Sequence, residues 1–234
     1  MHSNIIYAIG GDQPVTLLTI PLGHEQQQHL NPSFLACRRR YKEQLATLFS
    51  SSIHWVRQVH GIRLTRPNNS LFPSEADGLI SQTPNQVCAI SCGDCLPIAV
   101  YSRDGGWACI MHAGWKGLYL GIIQESIMAS PVPVSRLNAW IGPGICGHHY
   151  EVGTDFMNNF CQKDENFEPF FNTNGTTKPK LDLKSLARYQ LLSQGVSTVV
   201  VSEHCTYCDH RFYSYRRQGK SLYGGNTNIL MINN

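Results

Sequence analysis

The chain runs to 234 residues, 42% hydrophobic and only 15% charged, a folded globular composition rather than a disordered one, and long enough for one large domain or two small ones. Its net charge of +3 comes from scattered basic residues, which argues against a nucleic-acid partner, and no apolar run approaches the roughly 20 residues that cross a bilayer. The nine cysteines are an odd number in a chain too long for a small disulfide scaffold. The start, MHSNIIYAIGG, lacks the basic region and long apolar core of a signal peptide, so reduced thiols in the cytoplasm are expected.

Taken in order, IIYAIG and VTLLTIPLG read as two strands separated by a Gly-Gly-Asp turn. A helix follows over Ser33–Phe49, with Ser33 as N-cap, Phe34, Tyr41, Leu45 and Leu48 near one face, and Arg38–Arg40 on a solvated face. A strand over His54–Val59 ends in Gln58-Val59-His60-Gly61, and after a polar loop (66–75) Ala76–Ser81 and Gln86–Cys92 read as strands. Next, LPIAVYS and WACIMH flank Arg103-Asp104-Gly105-Gly106, the turn chemistry of an antiparallel hairpin. With a connection of two or four residues, Ser102 faces Trp107 and Cys95 faces Gly114. His112 then shares the face of Cys95, because side chains alternate along a strand. A three-residue loop would put them on opposite faces.

The spacing predicts a helix from about Gly117 to Ala129, with Ile123 and Ile127 on one face and Ser130-Pro131 ending it. Asn138–Ile141 is a short strand running into Gly142-Pro143-Gly144, and residues 163–180 read as loop. Leu183–Gln194 is a helix closed by Gly195, STVVVSE is a strand, and the aromatic, basic ending holds one last strand. Strands outnumber helices without regular alternation, which favours an α+β fold.

His60, Cys95 and His112 are the candidates for chemistry. Two imidazoles and a thiolate suit zinc and leave a fourth position for water, whose pKa a zinc ion draws toward about 7. Without a metal, the same residues make a thiol nucleophile with two possible bases. Cys205 and Cys208 form a CxxC that is half a structural zinc site, with His204 or His210 as partners, or a redox pair; with no second CxxC, buried structural thiols are the preferred reading. Cys88, Cys92 and Cys109 read as small core residues. His148 and His149 read as loop surface, since neighbours on an extended chain point opposite ways. Arg57, Lys116, Arg216 and Arg217 are surface or ion-pairing cations, although Lys116, four residues past His112, is placed to hold an anion such as phosphate. Asp77 and Asp94 flank the thiol region; one of them orients a histidine, or both cap turns.

QVHG, the ADG at Ala76–Gly78, GDCLP, HAGWKG, IGPGI…YEVG, LDL at 181–183 and CTYC…FYSYRR come in the order and rough spacing of one family. Over about residues 54–217 the chain resembles the bacterial laccase-domain family, also called multicopper polyphenol oxidase or peptidoglycan editing factor and regarded as purine nucleoside phosphorylases. The resemblance implies zinc held by His60, Cys95 and His112, with copper as the alternative ion. It also implies a single catalytic domain over residues 1–234, built as a four-layer α/β/β/α sandwich resembling toxin deamidases of the cysteine-hydrolase type. The implied activities are phosphorolysis of inosine, guanosine, adenosine and methylthioadenosine, and deamination of adenosine. Purine nucleosides and phosphate are then the partners, with no nucleic acid or membrane, for a monomer or small homo-oligomer. Arg57, Asp77, Asp94, Lys116 and Arg216 are the candidate substrate-binding residues. The alternatives are a cysteine hydrolase editing peptidoglycan precursors with Cys95 as nucleophile and His112 as base, a copper-dependent phenol oxidase, disfavoured by the lack of any His-x-His, and a metal-stabilised binding module. Three departures stand out: Lys116 where the family usually has arginine, Gly93 for an alanine, and Gly224-Gly225-Asn226-Thr227 for Gly-Arg-Met-Ala.

Overall fold

A computed structural model describes residues 6–9, 14–21, 52–68, 73–174, 178–219 and 225–234. The sequence-predicted helix at Ser33–Phe49 lies outside these residues, as do the Gly-Gly-Asp turn and Gly224. Strands β1 (Ile6–Ile9), β2 (Val15–Ile20), β3 (Ile53–Trp55), β6 (Val87–Cys92) and β13 (Asn226–Ile232) form one sheet in the order β1-β2-β13-β6-β3. Strands β4 (Leu64–Thr65), β5 (Gly78–Ser81), β7 (Leu96–Ser102), β8 (Ala108–Ala113), β9 (Leu137–Ile141) and β12 (Thr198–Val201) form a second, in the order β12-β9-β7-β8-β5-β4. Both sheets are mixed: β3 runs parallel to β6, β4 to β5 and β12 to β9, while the remaining pairs are antiparallel.

The two sheets pack face to face. Leu17, Cys88, Ile90 and Leu230 of the first meet Ala99, Tyr101, Ile110 and Trp140 of the second in one buried cluster. Because strand side chains alternate, the next residues along, Ile98, Val100, Met111, Ala139 and Ile141, point to the opposite face, where helices cover them. Those helices are α1 (Trp115–Leu120), α2 (Ile122–Met128), α3 (Thr154–Lys163) and α4 (Leu183–Ser193), contributing Leu118, Ile123, Phe160 and Leu186 among others. Burying each large apolar side chain contributes roughly 1.5–3 kcal/mol, and a strand buried on both faces reads as continuous apolar sequence, as LPIAVYS and ACIMHA do. A mixed α+β fold is therefore present.

Three segments differ from the sequence expectation. The single helix at Gly117–Ala129 starts earlier and is two helices, since Gly121 at φ +99° ends α1 and begins α2, a backbone shape that other residues rarely adopt. Residues 163–180 carry a short 3-10 turn (Glu165–Phe170) and the small β10–β11 ribbon (Phe171–Asn172 with Lys180–Leu181). Helix α3 precedes them, where no helix was expected, because its polar sequence TDFMNNFCQK buries only the narrow stripe around Phe160. No helix among the described residues is long and apolar enough to cross a membrane.

The fold brings the candidate residues to one place. Chain passes from the first sheet to the second between Cys92, the last residue of β6, and Leu96, the first of β7. Gly93, Asp94 and Cys95 make that crossing.

Candidate functional site

Hairpin β7–β8 positions two of the three donors. Leu96 pairs with Ala113, Pro97 with His112 and Tyr101 with Ala108, and the Ser102 amide donates to the Trp107 carbonyl at 2.9 Å. The connection is thus the four residues Arg103–Gly106, an even number. Cys95 and His112 fall diagonally across the pair on one face. Gly114, opposite Cys95, must lack a side chain: a Cβ there would stand 2.8 Å from Cys95 Sγ and 3.6 Å from His60 Cδ2.

His60 arrives from elsewhere, and a buried carboxylate brings it in. Asp77, fully buried just before β5, accepts from three successive amides, Val59 (3.3 Å), His60 (3.0 Å) and Gly61 (2.6 Å). His60 can make this wrap only with its backbone at φ +58°. The Gln58 side chain anchors the same tetrapeptide to the first sheet, donating to the Ser91 carbonyl (2.8 Å) and accepting from the Ser91 amide (2.9 Å). Asp77 also accepts from His112 Nδ1 at 3.0 Å, and its backbone carbonyl accepts from the His112 amide at 2.7 Å. With Nδ1 committed as donor, His112 Nε2 is the nitrogen left free.

The donor atoms of His60, Cys95 and His112 all lie within 4.8 Å of one another, and the two imidazoles meet edge to face at 4.7 Å. His112 is buried, Cys95 half-buried and His60 exposed, so the group opens to solvent on the His60 side. Burial alone would raise the Cys95 thiol, yet the charge and hydrogen bond of His112, with help from His60, bring it down to about 6. Burial alone would lower His112, yet Cys95 and Asp77 bring it up to about 9. Burial also opposes ionisation of Asp77, and the hydrogen bonds from His112 and Gly61 overcome it and lower its pKa. Both shifts run in the direction that favours a thiolate–imidazolium pair when no metal is bound. The donor set fits a tetrahedral ion such as zinc with one position left open.

The other predicted residues divide. Asp94, at φ +89°, accepts from Thr206 Oγ1 (2.7 Å) and from the Arg216 amide (2.6 Å), and its carbonyl accepts from Ile145. It therefore ties the sheet crossing beside Cys95 to the segment 206–216. The Arg216 guanidinium donates to the carbonyls of His149 (3.3 Å) and Glu151 (3.1 Å) and lies 5.1 Å over the Tyr150 ring. Arg57 is exposed and paired with Glu75. Lys116 is exposed, with no hydrogen bond or ion pair among the described residues. Arg217 donates to the carbonyls of Thr206, Tyr207 and Phe212. At the Gly225 departure, a Cβ would meet Ser91 Oγ at 2.0 Å. The neighbouring Asn226 side chain bridges Cys92 and Tyr213 instead, donating to both carbonyls and accepting from the Tyr213 amide.

Two sequence expectations need correction. His149 does not sit idle on a loop, and the Cys205–Cys208 pair does not stand as isolated structural thiols: with Cys146, which the sequence reading had not singled out, they form a second convergent group. The partners are Cys146 and His149 rather than His204 or His210. Cys88, Cys92 and Cys109 are buried core residues, and burial raises all three thiols, Cys88 to about 12.

The family model described as multi-copper polyphenol oxidoreductase laccase matches residues 29–233. Among curated relatives, purine nucleoside phosphorylase YfiH of Escherichia coli is 34% identical over 165 residues, covering 70% of this chain and 68% of that protein. A purine nucleoside phosphorylase of Xylella fastidiosa is 32% identical over 196 residues, covering 79% and 75%. Among solved structures, Neisseria meningitidis protein NMB0706 superposes with a TM-score of 0.88 at 28% identity, covering 99% of this chain and all of that one. With the fold shared end to end and the family model spanning nearly the whole chain, this protein belongs to the multi-copper polyphenol oxidoreductase laccase family, whose curated members here are named purine nucleoside phosphorylases.

Proposed function

We propose that this chain is a zinc-dependent purine nucleoside phosphorylase acting at His60, Cys95 and His112. The observation that carries this reading is the convergence of three donors on an open position, with the buried Asp77 fixing both histidines. The names of the relatives supply the substrate class, a purine nucleoside and phosphate. A bound zinc ion supplies Lewis acidity and a fixed positive charge.

The rest follows from what the side chains do. Asp77 holds His112 in one tautomer, so that Nε2 would be the nitrogen available to a metal ion. It also holds the His60 backbone amide, which fixes where that residue enters the site. Lys116, exposed and unpartnered among the described residues, is the cation for phosphate; as a point charge it binds less directionally than the arginine usual in the family. Arg57 and Arg216 already serve protein groups, so we assign Arg216 and Asp94 to positioning the wall of the site and leave Arg57 on its rim. Phosphorolysis forms a bond from a phosphate oxygen to ribose C1′ as the C1′–N9 bond breaks, leaving the electron pair on the purine. We extend the proposal to deamination of adenosine, in which water adds at purine C6 and ammonia leaves, giving inosine.

A second reading is favoured by the placement of Cys95 beside His112 with Asp77 behind the imidazole, an arrangement that lowers the thiol and raises the imidazole. That pair is the resting state of a cysteine hydrolase acting without metal, and a bacterial cell-wall precursor is the substrate class proposed for it. Chelation separates the two. Phosphorolysis lost on chelation and restored by zinc supports the first reading; hydrolysis that survives chelation but not alkylation of Cys95 supports the second.

A further inference from the structure

We infer that Cys146, His149, Cys205 and Cys208 form a second metal site, a closed Cys3His centre that takes zinc as a structural ion. These four donors come from two segments far apart in sequence, and their ligand atoms all lie within 4.8 Å of one another. Cys146 Sγ and Cys208 Sγ stand 3.2 and 3.4 Å from His149 Nδ1. A tetrahedral zinc with its usual Zn–S and Zn–N bond lengths separates its ligands by about 3.5–3.8 Å, so these two pairs need side-chain shifts of only a few tenths of an ångström, and no pair of the four needs more than about 1 Å.

The local backbone is built for this. Cys146-x-x-His149 and Cys205-x-x-Cys208 are two half-sites of equal spacing. Each closes a turn, His149 N–H donating to the Cys146 carbonyl (3.1 Å) and Asp209 N–H to the Cys205 carbonyl (3.0 Å), which puts both ligands of each half on one side. Gly147 lets the first turn lie against Asp182, where a Cβ would stand 3.0 Å from the Asp182 Cβ. A two-residue bridge of Gly144 with Cys205, including Thr206 N–H to the Gly144 carbonyl (3.2 Å), brings the halves together.

Groups around the four donors match an ion-bound centre. The Cys146 amide donates to Cys205 Sγ at 3.2 Å, and the His149 ring stacks on Tyr207 at 4.3 Å, as outer partners do that fix metal ligands. Three thiolates, an imidazole and Zn2+ carry one net negative charge. Lys184 donates to the carbonyls of Ser202 and His204 (both 2.7 Å), Arg217 to that of Thr206 (2.9 Å) and Arg216 to that of His149 (3.3 Å), so three cations surround the loops that bear the ligands. All four ligand positions are filled by protein, which makes this a closed structural site rather than a catalytic one. Its role follows from its neighbours. Thr206, inside the CxxC, and Arg216 are the two partners of Asp94, one residue before Cys95. Zinc here fastens the wall that sets the sheet crossing, and no step of the reaction passes through it.

The second site stands on its own geometry, the counts expected for it take the first site as loaded too, and metal counting on the whole protein separates the two. We expect wild-type protein, isolated reduced, to hold about two zinc ions per chain. Cys208→Ser, at an exposed position, and Cys146→Ser should each hold about one and unfold at lower temperature. The His112→Ala variant should also hold about one, and its cobalt-substituted form should keep the intense thiolate-to-metal absorption of a three-sulfur site. Zinc content unchanged in both serine variants would overturn the inference, as would His112→Ala protein devoid of metal. An intact mass short by two hydrogens, marking a Cys205–Cys208 disulfide in protein isolated under reducing conditions, would overturn it too.

Discussion

At the residue scale the site turns on Asp77. One carboxylate serves four donors, the amides of Val59, His60 and Gly61 and the ring of His112, and so couples a loop to a strand. Asp77→Asn keeps the shape but removes the charge and replaces one acceptor oxygen with a donor NH2. Loss of such an outer partner typically costs 10–100-fold in metal affinity. A drop of about that size is expected for the His60–Cys95–His112 site, read by competition with a chelator, while the fold survives. The pKa directions give a second expectation. In metal-free protein the Cys95 thiol, lowered to about 6, is already thiolate at neutral pH. Its alkylation rate should be flat above about pH 7 and fall as pH drops through 6, whereas an ordinary thiol is still gaining thiolate up to its pKa of about 8.5. Mass-mapped alkylation at Cys95 across pH 5–9 measures this, and a rate still climbing at pH 8.5 would refute it.

At the element scale the β7–β8 hairpin shows what was legible in the sequence. Turn residues between two apolar runs are local signals, so the hairpin could be read without the fold, and with it the shared face of Cys95 and His112 for any even connection; that the connection has four residues came from the register. The arrival of His60 could not: it depends on a left-handed residue wrapped around a carboxylate 17 positions away. Nor could the second Cys-His group, whose halves lie 59 residues apart and meet through a backbone bridge that no spacing rule encodes. Helix α3 was hidden for another reason, a polar sequence whose stripe is apolar only where it meets the core. Parity also makes the hairpin testable. Replacing Arg103–Gly106 by Asn-Gly keeps the connection even and should keep the bound metal. Deleting one of the four residues makes it odd, forces a slip or bulge, and should abolish metal binding at the His60–Cys95–His112 site. Metal content of the two variants, beside their melting curves, decides it; equal metal in both would show that register does not set the site.

At the scale of the whole molecule, two mixed sheets pack through a shared core, and the chemistry gathers where the chain leaves one for the other. The crossing after β6 delivers Asp94 and Cys95, β8 delivers His112, and the loop after β3 delivers His60. The C-terminal segment closes this arrangement from outside through Thr206, Arg216 and Asn226. That long-range closure explains why the Gly225 departure leaves the triad intact: glycine is what fits against Ser91 there. Under the proposed function the Lys116 departure bears instead on phosphate, because a lysine lacks the planar fork of arginine. The two are separable, since one concerns packing and the other the anion.

The most direct test of the central claim is hypoxanthine release from inosine by zinc-loaded protein, with and without phosphate, beside His112→Ala. The expected result is release that requires phosphate, appears with equimolar ribose 1-phosphate, and falls by at least about 10²-fold in the variant. No release by zinc-loaded wild-type protein at saturating inosine and phosphate would contradict the assignment, as would release that persists unchanged in His112→Ala.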